Sequence, residues 1–195
     1  MNMNQKGFAN IVLIIVVVAI VVGGYFVFVK KTTNDESKNW KTYKSETFEF
    51  KYPEKLKLVK NDNKVVLNHS IPYDNSGDCD MSGGDQLYKV LDDFNISLEV
   101  VPQKLTLKYV DGEYNVGTLH GFWAYEGAEG CGHNTYYFPF GENRTLVIQR
   151  AAVQALSGLS TLWDLEKILK IPGVISKEES EKIFKEVLLT FKVVQ

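Results

Sequence analysis

An uncharged apolar run near the N-terminus, Phe8–Val29, restricts this chain more than any other feature of its sequence. The run contains 22 residues, and a helix of that length, rising about 1.5 Å per residue, is about 33 Å long. The hydrocarbon core of a bilayer is about 30 Å thick, so such a helix spans it. We therefore predict a transmembrane helix over residues 8–29, after a short flank at residues 1–7.

The charges on either side of this run leave its orientation open. Lys6 and the amino terminus favour a cytoplasmic N-terminus, whereas Lys30 and Lys31 place equal or greater positive charge on the other side. We predict an N-terminus inside the cell and a C-terminal domain outside it. The prediction rests on Lys6, on the placement of two cysteines and on a family resemblance described below.

Two other interpretations of the run remain open. A cleaved signal peptide would use Ile11–Val22 as its apolar region and Gly23-Gly24 as its cleavage region, although the apolar run continues well beyond that pair. Lys6-Gly7-Phe8 resembles the junction at which type IV prepilins are cut, which would make the chain a pilin-like subunit. Val12, however, stands where pilins carry a glutamate.

Composition predicts one compact domain after the anchor. The chain has 195 residues, of which 45% are hydrophobic. It carries 22 basic and 24 acidic side chains, and removing the three lysines that flank the apolar run leaves a net charge of about −5 on the rest. A mildly acidic domain argues against nucleic acid as a partner. Residues 30–39 are polar and predict a linker, with the domain at 40–195.

Alternating apolar and polar residues predict a domain rich in strands. Phe48, Phe50 and Tyr52 alternate with charged residues before Pro53, which is typical of a half-buried strand. The same reasoning predicts further strands at 56–60, 64–70, 94–101, 118–126, 134–140, 144–151 and 190–194. Residues 71–85 predict a surface loop, and residues 106–114 favour a short helix over a hairpin. Further helices are predicted at 160–170 and after Ser176, which forms a capping-box pattern with Glu179.

Several of these segments resemble PsbP-like domains, which are related in fold to Mog1. The resemblance lies in Phe48–Pro53, in Gly121–Ala124 and in the ending Thr190–Val193. It implies an α+β fold, with an antiparallel β-sheet sandwiched by helices in an α/β/α arrangement, here preceded by the transmembrane helix. It also implies an extracytoplasmic compartment, and it implies no photosynthetic function.

The chain has two cysteines, Cys79 and Cys131, each in a Gly-rich stretch. If the domain is exported, a disulfide between them is expected. Closing a loop of about fifty residues would stabilise the fold by about 4 kcal/mol. An alternative use of Cys131 is as a thiol nucleophile, with His133 as the nearby base. We predict no catalytic residue and no cofactor, because the sequence shows no recognisable oxyanion-hole motif and no third member beside Cys131 and His133. We also predict no metal site, because the three histidines have no metal-ligand spacing.

Aromatic residues cluster in sequence around Cys131, and we predict a partner surface there, formed by Trp123, Tyr125, Tyr136 and Tyr137. Alternate members of the cluster are expected to fill the core instead. The predicted function is therefore a single-pass membrane protein whose domain is a non-enzymatic binding or accessory module for an envelope protein. The alternatives are an envelope hydrolase that uses Cys131 and His133, or a pilin-like subunit.

Overall fold

The structure, a computed structural model, describes residues 36–75, 88–105, 107–128, 131–151 and 162–194. The chain divides into two compact units, Met1–Trp40 and Lys41–Gln195. In the first unit, the described residues form a short 3-10 helix at Glu36–Asn39, within the predicted polar linker. The predicted membrane span, residues 8–29, lies outside the described residues, and so does Cys79.

The second unit is built mainly from β-strands. The described strands are β1 (Lys41–Lys44), β2 (Phe48–Tyr52), β3 (Lys57–Asn61), β4 (Lys64–Asn75), β5 (Tyr88–Val101), β6 (Gly112–Val116), β7 (Leu119–Ala128), β8 (Cys131–Phe140), β9 (Arg144–Ala151) and β10 (Lys192–Val193). Two helices accompany them, α1 (Leu162–Ile168) and α2 (Lys177–Leu189). The strands predicted from alternation are confirmed, with shifted ends.

The strands form two antiparallel sheets. The smaller has three strands in the order β1-β2-β10, and the larger has seven in the order β3-β4-β5-β9-β8-β7-β6. The β3–β4 hairpin turns at Asp62, which adopts a φ of +49°. Asn and Asp tolerate this left-handed region better than most residues, which is why the turn between β3 and β4 forms at this position.

Helix α2 packs on one face of the larger sheet, which we call the inner face. Its Phe184 ring lies 4.9 Å from the Tyr136 ring of β8 and 6.2 Å from the Tyr114 ring of β6, measured between centroids. The helix begins where the sequence predicts, since the Ser176 side chain accepts a hydrogen bond from the Glu179 amide. At its other end, the Thr190 hydroxyl accepts a hydrogen bond of 2.9 Å from the Lys51 amide of the smaller sheet.

The predicted α/β/α sandwich is wrong. Strands make up 56% of the described part of the chain and helices only 16%, and its architecture is mostly antiparallel β-sheet. Residues 112–114, the end of the predicted 106–114 helix, belong to strand β6, and residues 71–75, predicted as loop, extend β4. Both stretches gain their backbone hydrogen bonds from a neighbouring strand, which local pattern does not reveal. No helix among the described residues is long and apolar enough to span a membrane.

A buried carboxylate ties the β4–β5 pair to the segment before α2. Asp93 is 0% exposed, and its two oxygens bind the His69 Nδ1 at 2.6 Å and the Ile175 amide at 2.7 Å. Because a carboxylate only accepts, the His69 Nδ1 carries the proton and donates it. The strand pairing is irregular between His69 and Ser70, so Asp93 holds the imidazole beside this irregularity.

We expect Asp93→Ala to lower the free energy of unfolding by about 3 kcal/mol, because it leaves the buried Ile175 amide and the partly buried His69 imidazole without an acceptor. Urea unfolding of the purified full chain measures the change. The matched control is Asp92→Ala, which removes only an exposed acceptor of the Ser70 hydroxyl. Equal losses in the two variants would contradict the assigned role of Asp93.

Candidate binding face

The face of the larger sheet opposite α2 carries a strip of side chains from four strands. Residues two apart on a strand point to the same face, so His133, Thr135 and Tyr137 face away from the side on which Tyr136 meets α2. Directly opposing residues share a face, and they extend the strip onto neighbouring strands. We call the following set the outer strip: Lys64, Phe122, Ala124, Glu126, His133, Thr135, Tyr137 and Gln149.

Hydrogen bonds connect the polar members of the outer strip. The Lys64 ammonium donates to Gln149 Oε1 at 3.0 Å, and Gln149 Nε2 lies 3.3 Å from His133 Nε2. The same imidazole nitrogen lies 3.1 Å from Glu126 Oε2, and the Tyr137 phenol donates to Glu126 Oε1 at 3.1 Å. A row of five polar side chains therefore crosses the sheet from β4 to β7.

The contacts at His133 Nε2 are not mutually compatible. The Gln149 Nε2 only donates and the Glu126 carboxylate only accepts, so one ring nitrogen cannot bind both at once. Reversing the Gln149 amide would turn its N–H groups toward the Lys64 ammonium, which also only donates. In either protonation state of Nε2, the row therefore leaves one hydrogen-bonding group without a protein partner. The His133 and Glu126 side chains are 34% and 51% exposed, so solvent or a ligand can reach this part of the row.

Thr135 adds a second unsatisfied group below this row. It is 1% exposed, and among the described residues its hydroxyl has no hydrogen-bond partner. Leaving a buried hydroxyl unpaired costs about 1–3 kcal/mol, so such a group calls for a specific explanation, such as a bound water or ligand. The polar side chains of the outer strip are thus held by hydrogen bonds to one another, and some of their donors and acceptors have no protein partner.

The environment of the outer strip raises the pKa of the Tyr137 phenol. Burial raises its pKa above the ordinary value, and the hydrogen bond to the Glu126 carboxylate and the negative charge of that group raise it further. The Thr135 side chain acts in the opposite direction and lowers the pKa.

One apolar ring is well exposed at the end of the strip. Phe122 is 41% exposed and lies opposite Tyr137 on β7. From this pair to the Glu126–His133 pair is four residues along each strand, or about 13 Å at about 3.3 Å per residue. The strip therefore has an aromatic end and a polar end.

The predicted partner residues do not share one surface. Trp123, Tyr125 and Tyr136 occupy inner-face positions, where Tyr136 is buried against Phe184 and Tyr125 is exposed. Only Tyr137 lies in the outer strip. Whether any of the four contacts a partner stays a prediction.

The predicted cysteine and histidine roles also stay predictions. Cys131 is the first residue of β8 and pairs with Ala128, while the Cys79–Cys131 disulfide involves a residue outside the described part of the chain. The hydrogen bonds described for His133 go to Glu126 and Gln149. The described residues contain no group of three or more His, Cys, Asp or Glu side chains that would hold a metal ion.

Sequence reasoning missed Lys64, Glu126 and Gln149. They lie 69, 7 and 16 residues from His133 in the chain, and only strand pairing brings them together. The alternation of His133, Thr135 and Tyr137 along one strand was the available signal.

No protein-family model and no curated protein matches this chain. A crystal structure from Bacteroides thetaiotaomicron VPI-5482, at 1.50 Å resolution, is similar with a TM-score of 0.41 and 12% identity, over 80% of this chain and 49% of that one. This chain thus spans about half the length of that protein. The resemblance to PsbP-like domains stays a prediction, and function has to be argued from the outer strip.

We expect Glu126→Ala to lower the pKa of Tyr137 toward its ordinary value, because the substitution removes both the hydrogen bond and the negative charge that favour the neutral phenol. The measurement is a pH titration of the tyrosine ring carbons by NMR. Tyr136 serves as the internal control, since burial is the main cause of its raised pKa and Glu126 is not among the causes. An unchanged Tyr137 titration would contradict the described contact.

Proposed function

We propose that this chain is a single-pass membrane protein whose C-terminal domain is a non-enzymatic binding module of the cell envelope. The outer strip is the observation that carries the proposal. Side chains from four strands are ordered there by mutual hydrogen bonds on one sheet face. Among the described residues, the buried Thr135 hydroxyl has no partner, and one group of the His133 row has no protein partner.

The arrangement supports binding rather than bond cleavage. The His133 imidazole is engaged by Glu126 and Gln149, and the Tyr137 phenol is held neutral by burial and by a carboxylate. A phenol with a raised pKa is a poorer nucleophile at neutral pH. The strip thus offers donors, acceptors and a ring to a ligand, and no activated group.

Membrane attachment enters the proposal through the apolar run Phe8–Val29 and its Lys6 flank. A tether of this kind keeps a weak binding face at high local concentration near its target. A partly polar strip is well suited to that use, because the tether supplements the affinity of the face.

The test places a photoreactive phenylalanine analogue at Phe122 of the full chain, expressed in intact cells. Irradiation is expected to yield a cross-linked envelope component at this position, and Glu126→Ala in the same chain is expected to reduce it. Gel mobility and mass spectrometry of the purified adduct provide the readout.

The matched control carries the same analogue at Tyr109, which is 77% exposed and lies outside the outer strip. The proposal predicts little adduct there. Identical adducts from both positions, or none from Phe122, would remove the outer strip as the binding face.

A further inference from the structure

We propose that the outer strip binds a neutral, polyhydroxylated ligand, such as a segment of an uncharged envelope glycan. This inference rests on the proposed binding function and names the chemical class of the ligand. It follows from three properties of the outer strip: its mixture of charges, its mixture of hydrogen-bonding groups and its one exposed ring.

The charges on this face favour an uncharged ligand. Lys64 binds the Gln149 amide, and the Glu126 carboxylate is bound by Tyr137 and lies against His133. Glu99 and Glu113 occupy the same face on β5 and β6, so positive and negative groups are interspersed. An anionic glycan or nucleic acid needs a patch of basic side chains, which this face does not present among the described residues.

The composition of the outer strip also argues against a protein as the ligand. The buried centres of protein interfaces are depleted in charged residues and enriched in large aromatic side chains and arginine. Here Glu126, His133 and Gln149 form the polar end of the strip, and the exposed apolar ring lies at the other end. Burying these groups against an apolar partner surface would leave them unpaired at high cost.

Sugar hydroxyls can pair with the donors and acceptors of the outer strip that have no protein partner. A hydroxyl donates one hydrogen bond and accepts others, so it can satisfy either the Gln149 donor or the Glu126 acceptor, whichever His133 leaves free. The Thr135 hydroxyl has the same dual character and is buried beneath the row. A site built to pair hydroxyl groups discriminates strongly against ligands without them.

The aromatic end of the outer strip supplies the apolar part of the interaction. The Phe122 ring is exposed and offers a flat apolar surface to the C–H face of a sugar ring. The polar end lies about 13 Å away along the strands, which suits a chain of sugar units better than a single one. The combination of a ring, donors and acceptors selects an extended neutral glycan.

The experiment uses the full chain, purified in a detergent with a zwitterionic head group so that no sugar head group competes. Chitohexaose and maltohexaose are the neutral probes, and hexagalacturonic acid is the acidic one. Saturation-transfer NMR detects binding, and isothermal titration measures the dissociation constants. At least one neutral probe is expected to bind more tightly than the acidic probe.

Phe122→Ala and Glu126→Ala are each expected to weaken binding of the neutral probe about tenfold. Both side chains are substantially exposed, and thermal melting confirms that the variants stay folded. Tyr109→Ala removes a more exposed ring outside the outer strip and is expected to leave the affinity unchanged. Tyr137→Phe keeps the ring, removes only the phenol hydroxyl, and is expected to show an intermediate loss.

Binding of the acidic probe alone, no binding of either neutral probe, or equal affinity in the Phe122 and Tyr109 variants would overturn the inference. The cross-linking experiment separates this failure from failure of the proposed function. A protein adduct specific to Phe122, together with no glycan binding, would retain the binding module and reject its glycan ligand. Loss of both results would reject both proposals.

Discussion

The contact between Phe184 of α2 and Tyr136 of β8 determines which face of the larger sheet is buried. Side chains alternate along a strand, so once Tyr136 points toward the helix, His133, Thr135 and Tyr137 must point away from it. A slip of one residue in the pairing of β8 would exchange the two sets. The outer strip therefore depends on a packing contact made on the opposite side of the sheet.

Helix α2 holds this arrangement through polar contacts as well as packing. The Arg150 guanidinium lies 5.0 Å from the centre of the Phe184 ring, donates to the Ser180 hydroxyl at 2.9 Å and pairs with Glu181 at 2.8 Å. Arg150 occupies the inner face of β9, and Gln149 beside it belongs to the outer strip. Arg150 thus connects α2 to the inner face of β9, while the neighbouring residue, Gln149, belongs to the outer face. The planar guanidinium can stack on a ring and donate hydrogen bonds at the same time.

The two faces also differ in how completely their polar groups are satisfied. On the inner side, Arg150 and the buried Asp93 each have several defined partners. On the outer side, Thr135 has no partner among the described residues and His133 Nε2 faces two partners that it cannot bind together. An unpaired buried hydroxyl costs stability, so the place of Thr135 on the outer face points to a role in binding rather than in folding.

The sequence by itself determined the local elements whose signals lie within a few residues. Alternation identified β2 and the central strands, and the Ser176 cap identified the start of α2. The helix predicted at 106–114 was wrong where β6 begins, because β6 forms by pairing with β7 and its own sequence pattern does not indicate a strand. The predicted α/β/α arrangement was wrong for the same reason. The number of helices and the order of the layers depend on which strands pair, and local sequence pattern does not show this. Only the tertiary structure decided that Lys64, Glu126, His133 and Gln149 share a face, because strand register converts residues distant in the chain into neighbours.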